Sequence, residues 1–431
     1  MVGRSLIDFT QSTACYCEVL MLTDTMGTSM ANTKKNPKQK IVIVGGGFGG
    51  IKAALALCNE DFAEVTLVSE RSDFYYYPTM YLTATGRSER ISAIPLERIF
   101  ENKKITIVEA KATKVDQAAK NVILETKEAI AYDKLILALG VVTNYFGIPG
   151  LEEHSYGIKS IPEITRFKRH LHAQLIAENK PDLRYVVVGG GPTGIELAGD
   201  LGAYLKECMK RHNIRRRAVH IDLVEAMPHL MPRLPRPVGR GIERRLRKLG
   251  VKLYMGSRVE GASSEELTVS GKPIRSHTII WTAGVANNPF FTDAEFKLSP
   301  RRKVLVDEFL RAEGSKDVFV IGDNAETPFS GMAQTALRDA EFVAHNLLLE
   351  SRGDPKLAYR AKEPVYITPV GPYWASVLWG DVHLRGVIGW LLRGAADFRA
   401  FTEFESLPRA VEQLSYASEH QDLCPVCGSQ Q

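Results

Sequence analysis

Two short glycine runs, 144 residues apart (189 − 45), hold residue types that bind phosphate: Gly45, Gly47 and Gly50 in IVIVGGGFGG, and Gly189, Gly191 and Gly194 in YVVVGGGPTG. Each follows β-branched residues that read as a strand buried on both faces, and each opens a helical pattern. In such a turn the first glycine permits the tight reversal. The second lets main chain approach a pyrophosphate, and the third lets the helix pack close to the strand. The phosphates would meet unpaired N–H groups at the positive end of the helix. A carboxylate completes each set. Glu70 ends VTLVSE, 20 residues after Gly50 (70 − 50), where an acid binds the ribose hydroxyls of an adenine dinucleotide. Glu225 closes the next such strand, 31 residues after Gly194 (225 − 194); the excess falls in the helix extension KECMKRHNIRRR. An acid at 225 repels a 2′-phosphate and favours NADH over NADPH, although Arg233 and Arg236 leave room for NADPH, and a solvated strand-end acid is the plainer reading. Two dinucleotide sites in one chain mean one resident flavin and one nicotinamide that exchanges, with hydride passing between stacked rings.

The elements that must hold these groups are legible as an α/β pattern. LILAL is a buried strand running to Gly140, and HTIIWTAG runs to Gly284; glycine there lets the chain pass close to a cofactor. DVFVIGDNAE ends in Gly322-Asp323, where an acid can bind a ribityl hydroxyl. GMAQTALRDAEFVAHNLL, 331–348, has helical spacing, and its N-terminus suits a flavin carbonyl. Glu196 lies in the first turn after Gly194; it either helps hold the nicotinamide or relays a proton, or it pairs with a basic neighbour. The aromatics of RSDFYYYPTMYLTATG line a planar ligand or fill a core. The expected organisation is an extension over 1–38, a first dinucleotide domain over 39–150, a second inserted over 151–290, and a return to the first over 291–350. A C-terminal segment of two strands and an amphipathic helix from about Gly389 occupies 351–415, with a tail over 416–431.

With 431 residues, 45% hydrophobic and 24% charged, the chain supports two or three cores. A net charge of +5 does not point to nucleic acid, and no run is long and apolar enough to span a bilayer. Trp374, Trp379, Trp390, Phe398, Phe401 and Phe404, interleaved with Arg385, Arg393, Arg399 and Arg409, suit a membrane-interface segment, a dimer contact or a core cap. Six scattered cysteines indicate a reducing compartment. Cys424 and Cys427 have half-knuckle spacing that Cys15 and Cys17 would complete only if both tails met, so no metal is expected.

With both fingerprints, GIELAGDL, WTAGV, VIGDNAE and AQTA in view, residues Gln39 to Arg409 resemble the two-dinucleotide-binding-domain flavoproteins, and most the type II NADH:quinone oxidoreductases. The resemblance implies FAD on Gly45, Gly47, Gly49 and Gly50, with Glu70 on its ribose, Gly140 close by, and Asp323 on its ribityl–phosphate region. It implies Ala333 and Gln334 beside the isoalloxazine and a quinone pocket, and Glu196 near nicotinamide and flavin. NADH would lie on Gly189, Gly191, Gly194 and Glu225, with Gly284 near its ring. It further implies a non-proton-pumping respiratory enzyme, peripheral on the cytoplasmic face of a membrane, and admits a homodimer. One departure is Arg338, where the family carries a second glutamine; a cation there would change the quinone taken or its pose. Sulfide:quinone oxidoreductases need paired cysteines at the flavin, which Cys58 and Cys208, on separate helices, do not suggest. A flavin-dependent redox sensor of the apoptosis-inducing-factor type stays open.

Overall fold

The computed structural model describes residues 37–176, 184–211, 213 and 218–420. Of the expected extension over 1–38 only residues 37 and 38 are described, and of the tail over 416–431 only residues 416–420, so all four tail cysteines lie outside the described residues.

The chain enters on β1 (Gln39–Val44), reverses through the first glycine loop into α1 (Phe48–Leu57), and continues to β2 (Ala63–Ser69), β3 (Ile105–Glu109) and β4 (Lys134–Leu137). It then crosses on β5 (Val141–Thr143) to a second region of β6 (Ser155–Tyr156), α2 (Ile161–Ile176), β7 (Arg184–Val188), α3 (Pro192–Arg211), β8 (His220–Val224), α4 (Arg236–Lys248), β9 (Val251–Tyr254) and β10 (Thr278–Trp281). It returns on β11 (Val285–Asn287), which pairs antiparallel with β5. Strand β12 (Val318–Val320) then joins β4 in the first sheet.

The two sheets repeat one design. The first is parallel in the order β12-β4-β1-β2-β3, and the second is parallel in the order β6-β10-β7-β8-β9. In each, the strand feeding the glycine loop has the acid-bearing strand on one side and the glycine-ended strand on the other. The strand order reverses there, and in open α/β sheets ligands bind outside the carboxyl ends at that point. Burial on both faces explains why IVIV and YVVV carry no alternation: Ile41 to Val44 and Tyr185 to Val188 are all buried. The fold is thus the expected α/β pair, with the first domain discontinuous and the second inserted.

The C-terminal part differs from expectation in its strand count. It has three antiparallel strands rather than two, β13 (Tyr366–Pro369), β14 (Ala375–Trp379) and β15 (Val382–Gly386). Helix α6 (Val387–Thr402) starts two residues before Gly389. Among the residues read as membrane-interface, Phe401, Phe404 and Arg393 are buried. Phe404 lies 4.7 Å from Phe74 and Phe401 lies 4.6 Å from Tyr76, between ring centroids. A sequence cannot separate a membrane stripe from a core stripe, because both follow helical spacing. Here Phe401 and Phe404 go into a core whose other half the YYY segment supplies, while Ile388 and Leu391 of α6 stay exposed.

Candidate functional site

The two glycine loops share the backbone conformation of their first glycine and the close approach of their last. Gly45 has φ +120° and Gly189 φ +122°, values that L side chains rarely adopt. A Cβ on Gly50 would lie 1.8 Å from the Gly45 carbonyl oxygen, and one on Gly194 would lie 2.0 Å from that of Gly189. The middle glycines are the opposite: a Cβ on Gly47 or Gly191 meets no atom within 4 Å. Main chain is therefore bared to open space at the start of each helix. Gly47 caps α1 with no side-chain hydrogen bond, which leaves its N–H groups for an anion. A Cβ on Gly49 would lie 3.0 Å from the Ile321 side chain, so its constraint is steric. These features fit a pyrophosphate at each loop.

The acids sit symmetrically, each one residue past its strand. Glu70 is exposed beyond β2. Glu225 is half-buried beyond β8 and accepts from the N–H groups of Gly190 (2.6 Å) and Met227 (2.7 Å). It thereby braces the second loop, a role the sequence did not reveal. Gly140 and Gly284 each lie three residues past their strands. Gly140 (φ +68°) donates its N–H to Asn324 Oδ1 at 2.8 Å. The Asn324 amide donates to the Gly140 carbonyl and to Asn287 Oδ1, both at 2.7 Å. This fully buried asparagine thus ties the first crossing, the second crossing and the Gly-Asp turn together. Asn324→Ala is expected to lower the thermal midpoint by an amount matching about 1–3 kcal/mol, because a buried turn loses its partners.

Between the sheets, Asp323 is half-buried and accepts from the Gly331 N–H. Burial raises its pKa against the pull of Lys303 and Lys159, and burial in turn lowers both lysines. Lys159 also donates to the Gly284 carbonyl at 3.3 Å. Gly284, Lys159 and Asp323 therefore converge from separate stretches of chain; neither lysine was singled out from the sequence.

Helix α5 (Ala333–Arg352) presents Ala333 and Gln334 in its first turn. The Gln334 amide donates to the Val365 carbonyl (2.9 Å) and accepts from its N–H (3.1 Å), leaving one N–H and one lone pair for a ligand. Arg338, one turn on, donates to the Lys362 carbonyl at 2.8 Å. Its guanidinium is thus engaged on main chain. Below it, Asp339 is fully buried, accepts from the Gly322 N–H and Tyr359 hydroxyl, and is pushed up by burial to about 6.

Glu196 is buried on α3 and faces Arg393 of α6 at 3.7 Å. Arg393 is shared: its Nε lies 2.6 Å from Asp397, its Nη2 donates to the Pro78 carbonyl, and Tyr76 donates to Asp397 at 2.7 Å. One cation cannot neutralise both the buried Glu196 and the half-buried Asp397. Asp397 takes the close pair, and burial raises Glu196 to about 8, so it holds a proton at neutral pH. The basic neighbour of the plainer reading exists, while the raised pKa also suits proton transfer. Cys58 and Cys208 are both buried; Cys208 lies in the core of the second region, while Cys58 sits at the end of α1 in the first.

Residues 39–360 match the pyridine nucleotide-disulphide oxidoreductase family. The chain is similar to type II NADH:quinone oxidoreductases of Mycobacterium tuberculosis (29% identical, covering 85% of each chain) and Staphylococcus saprophyticus (27% identical, 74% of this chain and 84% of the relative). Its fold is similar to that of NDH2 from Plasmodium falciparum in complex with NADH (TM-score 0.77, 17% identical, 88% of this chain and 97% of the other). It is also similar to a sulfide:quinone oxidoreductase from Aquifex aeolicus (TM-score 0.69, 21% identical, 83% and 89%).

Proposed function

The chain belongs to the pyridine nucleotide-disulphide oxidoreductase family, and on that premise we propose that it is an FAD-dependent NADH:quinone oxidoreductase of type II. The observation that carries this reading is the repetition of one phosphate-binding loop, in one geometry, on two sheets. FAD, when bound, supplies the two-electron chemistry between nicotinamide and quinone.

The chain's residues hold and orient. Gly45, Gly47, Gly49 and Gly50 offer main-chain N–H groups to the FAD pyrophosphate, and Glu70 takes its ribose. Asp323 takes the ribityl–phosphate region, and Gly140 gives the chain close approach. Gly189, Gly191 and Gly194 hold the NADH pyrophosphate. Glu225 braces that loop and keeps lone pairs for the ribose diol, and Gly284 with Lys159 borders the nicotinamide. Ala333 and Gln334 border the quinone. Glu196, protonated at neutral pH, is a proton store for a reaction that consumes protons.

No helix of the described residues is long and apolar enough to cross a membrane. Large apolar side chains are instead exposed along the C-terminal segment: Ile388 is 61% exposed, Leu391 59% and Trp379 50%. They support peripheral attachment to a membrane surface, where a quinone is reached directly; the cytoplasmic face is proposed from the family resemblance alone.

The test is anaerobic stopped-flow mixing of the purified yellow protein with NADH, followed by a soluble quinone. Rapid bleaching and rapid recolouring are expected. Bleaching without recolouring would sink the quinone assignment and favour a redox sensor with slow turnover.

A further inference from the structure

We propose that the cleft between α4 and β15 binds the phosphate of an anionic phospholipid headgroup. The inference rests on the membrane-surface reading of the C-terminal segment, and deepens it.

Helix α4 buries Val238, Ile242 and Leu246 on one side. On the other it carries Arg236, Arg240, Arg244 and Arg247, spaced four, four and three residues apart and so stacked on one face. Strand β15 brings Arg385 and His383 against that face. A Cβ built on Gly241 would lie 3.3 Å from an Arg385 Nη atom and 4.0 Å from the His383 ring, so the glycine is where strand and helix meet. The cleft between them has a volume of about 550 Å³.

Its charge is unbalanced. Five guanidiniums line it, and the one carboxylate is Glu243, which lies 3.2 Å from Arg236 and 3.8 Å from Arg247. Among the described residues, no carboxylate lies within ion-pair distance of Arg240, Arg244 or Arg385. His383 is bonded to Ser376 at 2.9 Å, and its pKa is lowered by burial and by Arg385, so it adds a hydrogen-bonding ring rather than a charge. Like charges gathered this closely repel one another until an anion enters. Guanidinium forks match phosphate oxygens in shape as well as charge.

Position selects a lipid as the source of that phosphate. Val387 follows Arg385 by two residues, and β15 runs directly into α6. The exposed side chains of Val382, Val387, Ile388 and Leu391 therefore begin where the basic cleft ends. Apolar contact and headgroup contact made side by side is how a surface segment gains both depth and lipid preference.

The experiment compares sedimentation with phosphatidylcholine vesicles and with vesicles that also contain phosphatidylglycerol, at low and high salt. The variant carries Arg240→Gln, Arg244→Gln and Arg385→Gln. These side chains are exposed, so folding should survive; flavin absorbance and the thermal midpoint report it, and Arg240→Gln alone serves as a milder variant. The wild-type protein should bind the anionic vesicles more tightly, with a gain that salt removes. At about fivefold per arginine, the triple variant should lose on the order of 100-fold in binding to anionic vesicles. Its binding to neutral vesicles and its turnover with a soluble quinone should not change. An unchanged preference for anionic vesicles would overturn the headgroup site and leave the membrane reading standing. Failure of the wild-type protein to bind either vesicle would overturn the membrane reading and the site together. Tighter capture of duplex nucleic acid than of vesicles by the same arginines would also overturn it.

Discussion

Gly194→Ala should give a yellow protein that NADH barely reduces, while Gly50→Ala should give a colourless one. The added methyl of Gly194→Ala would stand 2.0 Å from the Gly189 carbonyl oxygen and 2.7 Å from the Thr282 hydroxyl. Both atoms lie one residue past strands of the second sheet, β7 and β10. Relief requires α3 to move off β7, which displaces the N–H groups that face the pyrophosphate. Overpacking of this kind costs about 1–3 kcal/mol. If that cost falls on NADH binding, affinity drops by roughly 5- to 150-fold, at a tenfold change per 1.4 kcal/mol. The first loop is untouched, so flavin content and thermal midpoint in excess FAD should stay close to wild type. Gly50→Ala makes the same clash at 1.8 Å in the other loop and should strip the flavin. Flavin absorbance and an NADH titration of both variants decide the matter. A colourless Gly194→Ala beside a yellow Gly50→Ala would exchange the two cofactor assignments. Two yellow proteins with normal NADH titrations would remove both loops from the site.

What could be read from residue types was whatever depends on local geometry. A glycine that must adopt positive φ, or that touches the carbonyl five residues back, leaves a mark within one short stretch. The same holds for a β-branched run buried on both faces and for an acid one residue past its strand. Gly45, Gly50, Gly189, Gly194, Glu70 and Glu225 are of this kind, and so is the insertion of one sheet into the other. What stayed hidden depends on partners far apart in the chain. Lys159 and Lys303 gain meaning only because folding sets both against Asp323. Asn324 joins residues 37 and 184 positions away. Arg338 read as an intruder beside an acceptor, yet its partners are main-chain carbonyls that no residue pattern advertises. The C-terminal aromatics were ambiguous for a related reason. Helical spacing fixes which residues share a face, but only the neighbouring chain fixes whether Phe48, Phe74 and Tyr76 or a lipid surface covers it.

Arg393→Met should be among the most destabilising single substitutions in the chain. Arg393 is 9% exposed, and its guanidinium serves Asp397, Glu196 and the Pro78 carbonyl at once. Its loss leaves the half-buried Asp397 carboxyl group with only the Tyr76 hydroxyl as partner. Removing one member of a buried pair costs about 3–5 kcal/mol, against a total stability of roughly 5–15 kcal/mol. The second substitution Asp397→Leu, added to the first, should recover most of that loss, because a buried pair replaced by apolar side chains is often neutral. Urea unfolding of the two variants and the wild type measures both effects. A loss under about 1 kcal/mol for Arg393→Met would mean that water reaches the site. Glu196 gives an independent check through pH. Its folded pKa is raised to about 8, so the folded state binds the proton more tightly. The stability this contributes is full below the unfolded carboxyl value of about 4.3 and is lost as pH rises through about 8. Glu196→Gln keeps the shape and the neutral state, so it should flatten that slope at little cost near pH 7. If the same variant also slows quinone reduction while NADH affinity holds, the proton on Glu196 is used in the reaction. If turnover and affinity are both unchanged, Glu196 serves to seat α6 on α3, and the proton comes from elsewhere.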